Sequence, residues 1–261
     1  MAAAAFFIYA AGHIEALASC CILAVAQILR ESQVFAGKIP RPVTLDPGLT
    51  PFTLQCHMTG MNKIKTVCVY CGSSPGTNPR FIEAAAAFGR ILAESGIRLV
   101  YGGGSNGLMG AVANGVLDHG GSVTGIIPEF LNSRERMLTR VQELVVTPDM
   151  HERKRLMFER SDAFVALPGG VGTLEELVEQ LTWKQLGRHA KPVLLANIDN
   201  FWEPLFSLLS HMRQTEFIRA GLSVDILKAD RVEDILPKLK AAVAKLAEAE
   251  KELAPEVARK L

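Results

Sequence analysis

The chain of 261 residues has no excess of charge of either sign: 28 Lys and Arg face 27 Asp and Glu, a net charge of +1. Without a cationic excess there is no field to hold a nucleic-acid backbone, so binding DNA or RNA as a main task is excluded. Cysteine is scarce, five residues in all. That is too few for a disulfide scaffold at this length and points to a reducing, cytoplasmic setting. Metal-ligand spacing is also missing. Cys68 and Cys71 stand in C-x-x-C order, but within a strand they point to opposite faces, and no second pair or His partner at zinc spacing accompanies them. No metal site is expected. Hydrophobic residues, by contrast, make up 49% against 21% charged, enough for a sizeable core and incompatible with wholesale disorder.

Residues 1–60 differ from the rest of the chain. Met1 to Ile28 is Ala-rich and apolar, yet no basic residue precedes Arg30, so the positive start of a signal peptide is lacking. His13 and Glu15 interrupt the apolar run, which argues against a spanning helix. Pro40, Pro42, Pro47, Gly48 and Pro51 then form a linker-like stretch. The expectation is an N-terminal extension over 1–60 that does not belong to the fold, and one domain over 61–261.

From Lys63 onward short apolar runs alternate with longer amphipathic ones. Strands are predicted at Thr66–Cys71, Arg98–Tyr101, Ser122–Ile127, Gln142–Thr147, Ala163–Leu167, Pro192–Ala196 and Val224–Lys228. Nearly continuous apolar runs of this length suit strands covered on both faces. Helices are predicted at Pro79–Ser95, Gly107–His119, Met150–Arg160, Thr173–Leu186, Phe201–Thr215 and Asp230–Leu253. Strand and helix in strict alternation imply an α/β fold, a doubly wound parallel sheet with helices on both faces. The Ala-, Lys- and Glu-rich last helix reads as a solvated or partner-facing flank.

In such a sheet, ligands sit outside the carboxyl ends of the strands. There the sequence places Cys71-Gly72-Ser73-Ser74, then Gly102-Gly103-Gly104, then Glu129 and Glu135. Met150-His151-Glu152-Arg153-Lys154 follows the fourth strand, and Pro168-Gly169-Gly170-Val171-Gly172-Thr173-Leu174-Glu175-Glu176 the fifth. Glycines, hydroxyls, carboxylates and a basic pair on one edge exceed what turns require. The fifth loop is the most specific, because glycines at a helix start let free amides and the positive dipole end meet a phosphate. It is not a P-loop, since no Lys follows Gly172, and neither glycine cluster has the dinucleotide spacing. Glu175 and Glu176 fall in what reads as the first helical turn, where carboxylates often only complement the dipole. Trp183 and Trp202 read as packing residues, with Trp183 close enough to the fifth loop to help line a base pocket.

These motifs resemble those of the LONELY GUY family, the cytokinin riboside 5′-monophosphate phosphoribohydrolases. Residues Pro168–Glu176 match its P-G-G-x-G-T-x-x-E signature and Met150–Lys154 its M-H-x-R-K. Tyr101–Gly104 and Cys71–Ser74 match two further elements, and order and spacing agree from Ile64 to Phe217. The resemblance implies a Rossmann-like homodimer, with sites near the subunit interface, that splits a nucleoside 5′-monophosphate into free base and ribose 5-phosphate. It places Arg153 and Glu176 at catalytic positions. Gly169, Gly170, Val171, Gly172, Thr173, Leu174, Glu175 and Thr182 fall to phosphate and ribose, with Glu135, Lys154, Ser73, Gly103 and Met150 also binding substrate. No cofactor is implied.

The chemistry agrees with the residue types. Cleaving a glycosidic bond builds positive charge on the ribosyl carbon, which a carboxylate such as Glu176 can stabilise, while Arg153 positions. Two other classes stay open: a ligand carrier of the same fold, and a lysine decarboxylase. The latter chemistry needs a Schiff-base lysine, and Lys154 is the only lysine in the five loops.

Overall fold

The computed structural model describes residues 63–131, 138–218 and 225–258. The expected extension over 1–60 and the candidate Glu135 lie outside the described residues. Seven strands form one parallel sheet in the order β4-β3-β2-β1-β5-β6-β7. They are β1 (Thr66–Tyr70), β2 (Arg98–Tyr101), β3 (Val123–Pro128), β4 (Glu143–Thr147), β5 (Ala163–Ala166), β6 (Val193–Ala196) and β7 (Leu227–Ala229). The helices are α1 (Pro79–Glu94), α2 (Gly107–Leu117), α3 (Met150–Glu159), α4 (Val171–Gln185), α5 (Glu203–Gln214) and α6 (Ile235–Ala258). The expected α/β architecture is thus present.

The strand order reverses at β1, so β1 and β5 flank the switch point where a crevice opens at the carboxyl edge. Alternation along the strands sends Val67, Val69, Leu99 and Tyr101 to one face, under α1, α2 and α6. Cys68, Tyr70, Val100 and Phe164 go to the other face, under α3, α4 and α5. Helix α1 starts where Asn78 Oδ1 accepts from the Arg80 amide and Pro79 occupies the first turn. Helix α3 starts where Asp149 Oδ1 accepts from the Glu152 amide at 2.8 Å.

Two predicted boundaries move in ways that matter. Helix α4 begins at Val171 rather than Thr173, because Gly170 is the extended N-cap and Gly172 continues the helix. Glu175 and Glu176 consequently lie beyond the first turn, and a dipole-complementing role for them loses its basis. Helix α6 starts at Ile235, after the 3-10 turn Val232–Asp234. It is not a solvated flank: Ile235, Leu236, Leu239 and Val243 are buried in the core. These apolar positions recur at helical spacing and make a stripe that the Ala/Lys/Glu composition hides.

Candidate active site

The crevice at the switch point holds a cavity of about 350 Å³. Its floor is the end of β1, with Val69, Cys71, Gly72 and Ser73. Gly102 and Met109 close one side, Leu131 and Met150 another. Gly170 to Thr173, with Glu175 and Glu176, form the wall at the start of α4, and Arg153 reaches in from α3.

Arg153 and Glu176 meet at the centre. Arg153 Nη1 donates to Glu176 Oε1 at 2.6 Å, and both side chains are about nine-tenths buried. Arg153 Nε donates to the Ile126 carbonyl at 3.0 Å, which fixes the guanidinium against the end of β3. Gly102 makes room for it: a Cβ there would lie 2.6 Å from Arg153 Nη2. Burial raises the Glu176 pKa above the ordinary carboxylate value, while the positive charge of Arg153 and its hydrogen bond oppose that rise. The result is a carboxylate stripped of water and steered by one cation, suited to a centre that becomes positive.

The neighbouring pair behaves differently. Lys154 Nζ lies 2.6 Å from Glu175 Oε1 and 3.0 Å from Glu179 Oε1, bridging α3 and α4 outside the cavity lining. Burial works against its charge, but the two carboxylates outweigh that and hold its pKa above the usual value. Consecutive residues on α3 therefore grip consecutive carboxylates on α4.

The first turn of α4 has no side-chain cap, which leaves its amides for another acceptor. Gly169 permits this geometry, since a Cβ there would lie 2.2 Å from Thr173 Oγ1 and 2.8 Å from the Gly72 amide nitrogen. The Gly72 amide donates to the Pro168 carbonyl at 3.1 Å and ties the first and fifth loops together. An uncapped helix start with small residues around it is an anion-sized cradle.

Of the residues nominated from sequence, Arg153, Glu176, Gly170, Val171, Gly172, Thr173, Glu175, Ser73 and Met150 line the cavity. Lys154, Gly169, Leu174, Thr182 and Gly103 do not. Thr182 is exposed, and its hydroxyl donates to the Val178 carbonyl at 2.8 Å. Leu174 points outward, and Gly103 is a turn residue with φ of 81°. Gly102 belongs to the glycine run already placed at this edge, whereas Val69, Met109 and Leu131 are apolar lining residues with no signal of their own in the sequence. Trp183 packs edge-on against Phe158, 5.1 Å between ring centres, away from the cavity. Burial pushes the Cys68 thiol up to about 12 and raises that of Cys71 too, so both are poor nucleophiles. Among the described residues no group of His, Cys, Asp or Glu could hold a metal ion, and no helix is long and apolar enough to cross a membrane.

Comparison with known proteins gives consistent relations. A family model described as "Possible lysine decarboxylase" matches residues 109–239. The chain is 47% identical to a probable cytokinin riboside 5′-monophosphate phosphoribohydrolase, LOGL1, of Oryza sativa subsp. japonica, over 66% of this chain and 78% of that protein. It is 45% identical to the cytokinin riboside 5′-monophosphate phosphoribohydrolase LOG3 of Arabidopsis thaliana, over 68% and 83%. The enzyme of that name from Rhodococcoides fascians is 43% identical, over 68% and 90%. Among solved structures, the molybdenum cofactor binding protein of Rippkaea orientalis superposes with a TM-score of 0.53 at 23% identity, over 69% of this chain and 98% of that one. The Moco carrier protein of Chlamydomonas reinhardtii gives 0.52 at 23%, over 70% and 99%. At that identity the likeness speaks for the fold alone.

Proposed function

The chain belongs to the LONELY GUY family of cytokinin riboside 5′-monophosphate phosphoribohydrolases, and on that premise we propose that it hydrolyses the N-glycosidic bond of a nucleoside 5′-monophosphate, an N6-substituted adenine nucleotide or AMP. The observation that carries this reading is the buried Arg153–Glu176 pair facing an uncapped helix start across one cavity. The phosphate sits on the amides of Gly170 to Thr173, where the helix dipole favours an anion. Anchored there, the ribose presents its anomeric carbon to Glu176, which stabilises the developing cation or orients the attacking water. Arg153 holds Glu176 in place and favours its charged form against the effect of burial. The products are free base and ribose 5-phosphate.

A decarboxylase fits the site poorly. A Schiff-base lysine must give up its proton, and Lys154 is held as an ammonium by two carboxylates. No lysine among the described residues lines the cavity.

The working unit in this reading is a homodimer. Val171, Leu174, Val178 and Leu186 form an exposed apolar stripe along α4, with Val171 83% and Leu186 69% exposed. Helical spacing puts them on one side, and Val171 also belongs to the cavity wall, so a partner seated there lies at the mouth of the site. A cytoplasmic location fits the free thiols of Cys68 and Cys71.

Incubating the protein with AMP, isopentenyladenosine monophosphate, the matching nucleosides and lysine tests the proposal. Monophosphates should be cleaved with kcat/KM at least tenfold above their nucleosides, about 1.4 kcal/mol. Equal turnover of nucleosides would remove the cradle from the mechanism. Binding without turnover would make the protein a carrier, and carbon dioxide from lysine would restore the decarboxylase.

A further inference from the structure

We propose that the loop between β6 and α5, residues 197–202, is a clasp that sets the geometry of the phosphate cradle from outside the cavity, with Trp202 and Asp199 as positioning residues. The inference rests on the phosphoribohydrolase reading and adds parts to it, because none of these residues lines the cavity.

The loop is held in the left-handed region at two successive positions, occupied by Asp and Asn, the side-chain-bearing residues that tolerate it best. Asp199 has φ of 49° and Asn200 φ of 60°, two successive side-chain-bearing residues in the left-handed region. Two such residues in succession are uncommon even for Asp and Asn, and the surrounding hydrogen bonds fix them. The surroundings here are explicit. Asn197 is buried, its amide donates to the Ala229 carbonyl at 2.7 Å, and its Oδ1 accepts from the Trp202 amide at 2.9 Å. Its Nδ2 donates to Glu203 at 2.9 Å and to Asp230 at 2.8 Å.

From this fixed base the loop reaches both strand-end loops that meet at the switch point. Asp199 accepts from Asn78 Nδ2 at 2.6 Å and from Arg80 Nη1 at 2.7 Å. Asn78 is the N-cap of α1, so the bond pins the far end of the loop that starts at Gly72 and Ser73. On the other side, Trp202 Nε1 donates to the Ala166 carbonyl at 3.2 Å. Ala166 is the last residue of β5, and the chain runs from it into Pro168 and the glycines of the cradle. One short segment therefore fixes where the first loop ends and the direction in which the fifth departs, and the Gly72–Pro168 bond joins the two.

Such a fixture matters more for this cradle than for a site built of long side chains. Backbone amides have no rotamers with which to follow a displaced ligand, so a shift of the cradle is felt directly in its contacts with the phosphate. The clasp touches neither base nor reacting carbon. Its loosening is felt in the phosphate.

The test uses the full chain with Trp202→Phe, which keeps the aromatic ring beside Phe201 and deletes the indole N–H, and with Asp199→Gly, which removes the tether while relieving the left-handed backbone. Calorimetric titration with ribose 5-phosphate should show Kd weakened at least about fivefold in each variant, with KM for AMP rising in parallel and kcat within about twofold. Inhibition by free adenine should not change. A merely structural role predicts the opposite for Asp199→Gly, a more stable protein with unaltered Kd, and that outcome overturns the proposal. Should Trp202→Phe fail to fold, Asp199→Gly decides alone. Unaltered protein that hydrolyses AMP, with variants that bind ribose 5-phosphate equally well, refutes the clasp and leaves the activity standing. Failure of the unaltered protein to hydrolyse AMP or isopentenyladenosine monophosphate removes the reading on which the clasp rests.

Discussion

On one side of the sheet, α1, α2 and α6 bury Phe88, Leu92, Val112, Val116, Ile235 and Leu239 in a core of aliphatic and aromatic groups. On the other, α3, α4 and α5 bury Arg153, Ser161, Glu176, Gln180 and His189 among Met157, Phe164 and Leu177. The second side also leaves both amide atoms of Gln180 and Nδ1 of His189 without a hydrogen-bond partner, and it exposes Val171, Val178 and Leu186. The same β1, β2 and β5 serve both sides, so the contrast comes from the helices. The first side departs from the rules for a stable core only at the Tyr101 hydroxyl, which is buried without a partner among the described residues, and the second departs from them at several polar and charged groups around the candidate site. Stability and activity should therefore be separable by the side on which a substitution falls.

The largest effect should come from the working side. Glu176→Gln keeps size and most hydrogen bonding but removes the charge, and kcat should fall by about 10²–10⁴-fold while the Kd of AMP changes little. Arg153→Ala should be comparably inactive, and the double variant hardly worse than either, since the two act as a unit. Near-normal rates in folded Glu176→Gln would return the protein to the carrier class.

The scaffold side supplies the converse. Phe88 is fully buried between α1 and the sheet, and Phe88→Ala should cost about 3–5 kcal/mol in denaturant unfolding. At low temperature, where the variant stays folded, KM and kcat should match the parent. A selective loss of kcat there would show that the two sides are not independent.

A smaller effect should appear in the pH dependence of stability. Burial lowers the pKa of His189 from 6.5 to about 4, with Lys191 and Lys184 adding to it. A group whose folded pKa is depressed contributes its stability above the unfolded value and loses it as pH falls toward the folded one. Between pH 7 and 5 the protein should lose about 1–2 kcal/mol from this group, and His189→Phe should flatten that part of the curve. An unchanged slope in the variant would place the acid sensitivity elsewhere.

The smallest effect on stability belongs to the exposed stripe. Val178→Lys should change unfolding free energy by no more than about 0.5 kcal/mol yet shift sedimentation toward the monomer. A monomeric parent would overturn the homodimer, and an unaffected dimer would move the interface away from α4.

Much of this organisation was legible because it is written in local patterns. Short apolar runs give six strands to within a residue at either end, β7 begins three residues later than the run at Val224 suggests, and glycines at the strand ends give the site edge. Glu176 was harder. Gly170-Val171-Gly172 reads as loop in the sequence, whereas the helix accepts Gly172 and turns Glu176 inward toward Arg153. Lys154 sits beside Arg153 in sequence and was nominated with it, but helical rotation carries it to Glu175 and Glu179 instead. No local signal marks Trp202 as a donor to Ala166, because that contact spans 36 residues and depends on the sheet being assembled.

The double grip of α3 on α4 has an electrostatic consequence. Arg153 is neutralised by Glu176 and Lys154 by Glu175 and Glu179, so no uncommitted cation among the described residues of the cavity is left to attract a dianion. In the proposed reading the pull on phosphate comes from the peptide dipoles at the start of α4, which act only within about one helical turn. On that reading capture of the nucleotide is governed by short-range fit, and KM should depend less steeply on ionic strength than it would in a site lined by unpaired lysines or arginines.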